Sequence, residues 1–146
     1  SGYATDIKLT CNELFKMPND IESRCALSVH YYTPDAFCLL DKDTEWCKAT
    51  DVWGSQQDYS QLERYVQLLK TNFIDKKVPI ILGEFGVVAK NKSKDSIKEY
   101  LSAVCKQTTS LGICPVVWDI NSLYYDRTLC TATDTSIIQS MLNSTV

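Results

Sequence analysis

The sequence predicts an α/β fold in which parallel strands alternate with amphipathic helices. Three apolar runs of strand length occur, and segments with apolar residues spaced three and four apart lie between and after them. Right-handed crossovers would bring such strands side by side in one parallel sheet. The 146 residues are 45% hydrophobic and 23% charged, a composition that fits one globular domain.

The first half of the chain contains two of the expected strands. Residues 6–16 are expected to be helical, and residues 26–32 form the first strand. That strand stops before Pro34, because the residue that precedes a proline is pushed out of the helical region. After a long loop, a helix with one apolar face starts at Asp58. The apolar run 78–83 lacks alternation, which is typical of a parallel strand covered on both faces.

The second half of the chain contains the third strand between two helices. Ser93 or Asp95 is expected to cap the first of these helices, and Gly112 is placed to end it. Residues 113–118 form the third strand. Asp134 has the residue type of an N-cap and opens the last helix.

Charge and hydropathy argue against two classes of partner. The net charge is −3, from 15 basic and 18 acidic residues that are interspersed along the chain. Such a chain has no basic field for nucleic acid or for anionic lipid. The apolar runs are far shorter than the ~20 residues of a membrane span. We therefore expect no nucleic-acid partner and no membrane segment.

The cysteine content indicates an oxidising, secreted environment. Seven cysteines are present and none form a Cys-x-x-Cys pair, which argues against a zinc site. Disulfides are expected, with Cys11–Cys25 and Cys38–Cys47 as plausible local pairs and at least one thiol left over. Two Asn-x-Ser/Thr sequons are glycosylation candidates, at Asn91 and Asn143.

Polar residues follow the apolar strands at the edge where parallel α/β folds carry their chemistry. The first strand ends in His30 and Tyr32, the second in Glu84, and the third in Trp118 and Asp119. A carboxylate directly after an apolar strand, bracketed by glycines, is costly to desolvate unless its charge is used. Glu84 is therefore the strongest functional candidate, whereas purely structural roles stay open for His30 and Trp118.

These motifs resemble glycoside hydrolase family 5, the retaining cellulases and related β-glycanases built on a (β/α)8 barrel. Residues 29–32 are similar to the family's His-x-Tyr at the end of barrel strand six, and residues 83–86 to the nucleophile motif that ends strand seven. Trp118 matches the tryptophan that ends strand eight, and residues 123–127 resemble the segment after it. The three strand-end motifs follow one another in family order.

The resemblance implies a role for each residue at the strand ends. Glu84 would be the nucleophile, and Tyr32 would hydrogen-bond its carboxylate. His30 would contact the sugar or the acid/base carboxyl. Trp118 would be the platform under the sugar, followed by a peptide bond that is often cis in the family. The substrate would be a β-1,4-linked glucan or a related polysaccharide, with no metal and no cofactor.

Three further residues are candidates for contacts with the substrate. Asp119 is a candidate for binding the sugar, although Ile120 and Asn121 replace the Asn-Gly that relatives usually have after it. A polar contact to the sugar is therefore expected to be lost or shifted. Trp46 and Trp53 are candidate stacking surfaces for other sugars, or else they form a small core of their own loop.

The family's acid/base glutamate, which sits in an Asn-Glu pair ending strand four, has no counterpart here. Asn12-Glu13 is the one such pair, and it follows no apolar strand. A complete barrel takes about 250 residues. The chain is therefore expected to be the carboxyl-terminal part of a catalytic domain, from the end of strand five at residues 1–3 to helix eight.

Two consequences follow for such a partial barrel. Three strands cannot close, so the open interior face should associate with the missing half or with a second copy. A nucleophile without its acid should give little turnover.

Two other classes stay open. A carbohydrate-binding module would need only exposed tryptophans, and a secreted structural protein would need neither these nor Glu84.

Overall fold

The computed structural model describes residues 5–119 and 123–145. The elements in chain order are α1 Ile7–Thr10, β1 Leu27–Tyr31, α2 Asp35–Cys38, α3 Gln56–Asn72, a 3₁₀ turn Ile74–Lys76, β2 Ile80–Phe85, α4 Lys94–Thr109, β3 Cys114–Val117, β4 Tyr125–Asp126, β5 Thr131–Ala132 and α5 Thr135–Asn143. Strands β1, β2 and β3 form one parallel sheet in that order, and β4 and β5 form a small antiparallel pair. The predicted α/β alternation is confirmed. No helix in the described ranges is long and apolar enough to cross a membrane.

The long helices begin at side-chain caps. Ser55 and Asp58 form a capping box in which each side chain accepts from the other's backbone N–H, so α3 starts two residues before the predicted Asp58. Ser93 caps α4 and Asp134 caps α5, as the sequence predicts. Gly112 adopts a φ of +72° in the turn from α4 into β3, a conformation that favours glycine.

The N-terminal helix is much shorter than predicted. It ends at Thr10, whereas the sequence pattern favours a helix over residues 6–16. The Asn12 side chain accepts a hydrogen bond from the Leu14 N–H at 2.9 Å, and such local bonds compete with helix continuation. The predicted strand end at residues 1–3 lies outside the described residues. Asp6, just after it, pairs with His30 in a parallel bridge.

One face of the sheet is buried and the other is open. Leu27 and Val29 of β1, together with Ile80 of β2, lie in the same buried core as residues of α3 and α4. On the opposite face, Ile81 is 41% and Val116 is 44% exposed. The expectation that β2 is covered on both faces is therefore wrong for this chain. The open apolar face matches the interior of an unclosed barrel.

Lys92 ties the loop after β1 to the segment before α4. Its ammonium donates to the carbonyls of Ala36 and Thr50, at 3.1 Å and 2.5 Å. It also lies 5.6 Å from the centre of the Phe37 ring. Burial lowers the pKa of Lys92 from its usual value. One cation thus holds both ends of the loop from Ala36 to Thr50.

All seven cysteines are free thiols in the structure, so the predicted local disulfides are not formed. Cys38 is buried in the core at α2, whereas Cys47 lies on the loop and directs its thiol to the Lys48 carbonyl. The two cysteines are close in sequence, but Cys38 lies in the core and Cys47 lies on the surface loop. The sequon residues Asn91 and Asn143 are both exposed.

Candidate active site

A β-bulge turns Glu84 toward the open face of the sheet. The pairing of β1 with β2 shifts after Leu82, so that Glu84 pairs with His30 and Gly83 is an extra residue. Side chains alternate between faces along a strand, and one inserted residue reverses that alternation. Without the bulge, Glu84 would share the core side with Leu82. With it, Glu84 faces outward beside His30, and Phe85 returns to the core at 1% exposure.

The two glycines around Glu84 allow close approach of neighbouring groups. A Cβ on Gly83 would lie 2.8 Å from Ser28 Oγ and 3.6 Å from His30 Nε2. A Cβ on Gly86 would lie 3.2 Å from the carbonyl oxygen of Trp118. The glycines of the predicted motif therefore make room for the strands on either side of Glu84.

Two polar groups converge on one oxygen of Glu84. The Tyr32 hydroxyl donates to Glu84 Oε2 at 3.0 Å, and His30 Nδ1 lies 3.2 Å from the same oxygen. The His30 and Glu84 side chains are 26% and 25% exposed. Burial, followed by the bond to Glu84, raises the pKa of Tyr32, which keeps the hydroxyl protonated as a donor. Within the described residues, Oε1 of Glu84 has no protein partner.

His30 and Trp118 lie toward the ends of the strands on either side of β2. His30 Nδ1 contacts the Glu84 carboxylate, and its contact with a sugar or a second carboxyl stays a prediction. Trp118 is 45% exposed, and its backbone N–H donates to the Phe85 carbonyl at 2.8 Å, which holds the residue beside β2. In the described ranges the cis peptide bond is Thr33–Pro34, so the bond after Trp118 is trans, contrary to the family expectation.

Asp119 uses its carboxylate within the chain. Its Oδ1 accepts from the Tyr124 N–H at 2.7 Å, and its Oδ2 lies 3.9 Å from the Arg127 guanidinium. The carboxylate thus organises the segment that follows it, whose neighbours Ile120 and Asn121 lie outside the described residues.

The two loop tryptophans lie in contrasting environments. Trp53 is 4% exposed and packs against Tyr59 and Tyr100, with ring centres 4.8 Å and 5.4 Å away. Trp53 therefore belongs to the main core beside α3 and α4, rather than to a small core of its own loop, and it presents little surface to a sugar. Trp46 is 67% exposed and remains free to stack.

Tyr124 is a structural residue of the site that the sequence analysis did not single out. Its hydroxyl donates to the Val87 carbonyl at 3.1 Å and lies 3.3 Å from the Val87 N–H. Burial raises the pKa of Tyr124 to about 12. This contact joins the segment 123–127 to the residues just after β2. No local sequence pattern predicts it, because the two residues are distant in sequence.

The site offers carboxylate chemistry. A carboxylate with one oxygen held by a tyrosine hydroxyl and beside an imidazole, and with the other oxygen free of partners among the described residues, is suited to nucleophilic attack or to stabilising positive charge. In the described part of the chain, no group of three or more histidine, cysteine, aspartate or glutamate side chains is placed to hold a metal ion.

Comparison with known proteins supports the same family as the motifs. The sequence profile of Cellulase (glycosyl hydrolase family 5) matches residues 1–123. Endoglucanase B of Clostridium cellulovorans is 31% identical over 116 residues, which is 80% of this chain and 25% of that protein. Endoglucanase A of Ruminococcus albus is 30% identical over 119 residues, which is 75% of this chain and 32% of that protein.

Solved structures agree with this assignment. A broad specificity endoglucanase (GH5-4) from an uncultured bovine rumen ciliate has a TM-score of 0.88 and 30% identity, over 99% of this chain and 46% of that one. A lichenase from Caldicellulosiruptor sp. F32 has a TM-score of 0.86 at 22% identity, over 97% of this chain and 41% of that one, and shows the fold. This chain thus spans less than half of these relatives. It belongs to glycosyl hydrolase family 5 and corresponds to part of the (β/α)8 barrel of that family.

Proposed function

We propose that these residues supply the nucleophile side of a retaining β-1,4-glucanase site, with Glu84 as the nucleophile. The observation that carries the proposal is the convergence of Tyr32 and His30 on Glu84 Oε2, which leaves Oε1 unengaged by the described residues. The names of the relatives, which are endoglucanases, support a β-1,4-linked glucan or a related polysaccharide as the substrate class.

Glu84 Oε1 would attack the anomeric carbon of the bound sugar. The bond from that carbon to the leaving oxygen breaks, and a glycosyl ester forms on Glu84. Water then opens the ester and regenerates the carboxylate. Tyr32 and His30 fix the orientation of the carboxylate through Oε2, and Trp118, half exposed beside them, offers its indole face to the sugar.

The acid/base carboxyl would come from outside these 146 residues. Retaining enzymes place their two carboxyl groups about 5–5.5 Å apart. Asp119, which also follows a strand at this edge, is engaged by Tyr124 and Arg127 instead. General acid catalysis contributes typically ~10²–10⁴-fold. These residues by themselves are therefore expected to hydrolyse unactivated glucans very slowly.

The open sheet face offers a surface for completing the barrel. Ile81 and Val116 lie exposed there, next to the proposed nucleophile. We expect this face to be covered by the complementary half of the barrel or by a second copy of the chain. The exposed sequons at Asn91 and Asn143 and a polysaccharide substrate support secretion of the protein.

Covalent trapping tests the proposal without requiring a general acid. A 2-deoxy-2-fluoro cellobioside with a dinitrophenyl leaving group needs no protonation to depart, and it should add one fluorocellobiosyl group to the peptide that contains Glu84. Glu84→Gln should abolish the label. Glu22→Gln, a matched change at an exposed ion pair with Arg24, should leave it intact.

Two outcomes would contradict the proposal. One is an absence of label, or a label on a residue other than Glu84. The other is hydrolysis of cellotetraose at normal enzymatic rates by the 146 residues alone, because that result would show that no acid/base carboxyl is missing.

A non-catalytic glucan-binding role is the second candidate. The exposed indoles of Trp46 and Trp118 favour it, since stacking alone binds sugars without a carboxylate. In that case Glu84→Gln should leave the affinity for cello-oligosaccharides unchanged, and no covalent label should form on the unmodified protein.

A further inference from the structure

A cavity of about 460 Å³ opens beside the Tyr32–Glu84 pair. Its volume lies in the range of small-ligand pockets, roughly 300–1,000 Å³. Tyr32 and Trp118 form the end nearest to Glu84. The remaining wall is mostly aliphatic and includes Leu39, Val88, Ala89 and Leu123. The cavity thus extends the site away from the carboxylate along an apolar surface.

Several polar backbone groups of this wall are already bonded within the chain. The Val88 N–H donates to the Cys38 carbonyl at 2.9 Å. The N–H and the carbonyl of Val87 both contact the Tyr124 hydroxyl. The Tyr32 hydroxyl is engaged by Glu84. A ligand lying against this wall therefore finds few free donors or acceptors.

Lys90 also lines the cavity, and its charge is paired with Asp41. Lys90 Nζ is 3.2 Å from Asp41 Oδ2, and the Lys90 side chain is 72% exposed. The Asn91 amide donates to the Asp41 carbonyl and holds that residue in place. The ion pair stands in water while the interior of the cavity stays apolar.

We infer that this cavity is a subsite for an aromatic group attached to the sugar at Glu84, such as the aglycone of an aryl β-glycoside. The inference rests on the proposed function, because it takes Glu84 to mark the position of the sugar. A hydroxyl-rich ring would lose hydrogen bonds to water without replacement by the protein. An aromatic ring loses none, stacks on the Trp118 indole and packs against Leu39.

The test compares the binding of two ligands that share their sugar. Phenyl β-cellobioside and methyl β-cellobioside are titrated calorimetrically into the full-length protein carrying Glu84→Gln, so that neither ligand is consumed. The phenyl compound should bind about tenfold more tightly, which corresponds to ~1.4 kcal/mol.

Leu39→Asp, at a side chain that is 51% exposed, should remove the preference by placing a charge in the apolar wall. Leu129→Asp is the matched control, because Leu129 is 71% exposed and does not line the cavity. It should keep the preference. Ala89→Phe is a second variant that fills the cavity, and it should weaken the phenyl compound alone.

The outcomes separate this inference from the proposed function. Equal affinity for the two cellobiosides overturns the aromatic subsite and leaves the glucanase proposal standing. Failure of both to bind overturns the glucanase proposal and the subsite with it. A preference that survives both Leu39→Asp and Ala89→Phe places the aromatic group elsewhere and also overturns the subsite.

Discussion

Replacing Trp53 tests whether this indole stabilises the fold or binds sugar. The side chain is 4% exposed and packs against Tyr59 and Tyr100. Removing a buried tryptophan typically costs about 3–5 kcal/mol, to which lost aromatic pairs add ~0.5–1.5 kcal/mol each. Against this, the Trp53 Nε1–H is buried without a hydrogen-bond partner among the described residues, and its removal returns ~1–3 kcal/mol. Trp53→Ala should therefore lower the free energy of unfolding by about 3–4 kcal/mol.

Two further variants sharpen this prediction. Trp53→Phe keeps a buried ring and loses the unpartnered N–H, so it should cost about 1 kcal/mol or less. Trp46→Ala removes an indole that is 67% exposed and should leave stability unchanged. Urea denaturation followed by circular dichroism measures all three. The reasoning fails if Trp53→Ala costs less than Trp46→Ala, or if Trp53→Ala weakens glucan binding without changing stability.

Three other predictions concern the site and the thiols. Tyr32→Phe removes the hydroxyl that donates to the Glu84 carboxylate and should slow its labelling about tenfold, ~1.4 kcal/mol, whereas Tyr125→Phe should not. Equal labelling rates would refute the orienting role. Burial raises the pKa of the Cys38 thiol from 9.0 to about 12. The unfolded thiol ionises above pH 9 while the buried thiol stays neutral, so the contribution of Cys38 to stability is constant below pH 9 and the free energy of unfolding falls as the pH rises toward 12. Cys38→Ala should flatten that fall, and an unchanged slope would argue against this assignment. Alkylation of the denatured, unreduced protein should add seven labels, with the exposed Cys114 reacting before denaturation; fewer labels would reveal a disulfide.

The sequence predicts most of the sheet and its helices because local signals mark them. β1 ends before Pro34, and Ser93 and Asp134 cap their helices as expected. The four-residue helix α2 is too short to show an apolar period, so it was expected to be loop. Strands β4 and β5 have two residues each, which is too short for the sequence to show a strand pattern.

The site was predicted by residue type but not by geometry. Glu84 and Tyr32 stand at adjacent strand ends, and the motif led to both. The bulge at Gly83 could not be foreseen, because an extra residue exists only relative to the register of the neighbouring strand. The direction of Trp53 likewise depends on Tyr100, which is distant in sequence. Both features arise from pairings between segments that no local window contains.

The two hydrogen bonds from Lys92 separate the fixed ends of the loop after β1 from the exposed residues between them. Because one ammonium holds the carbonyls of Ala36 and Thr50, the positions of both loop ends are set by the segment before α4. The exposed residues 42–46 between them can then change in number or type, or be cut by a protease, while the ends stay in place. Such changes leave the sheet that carries Glu84 undisturbed.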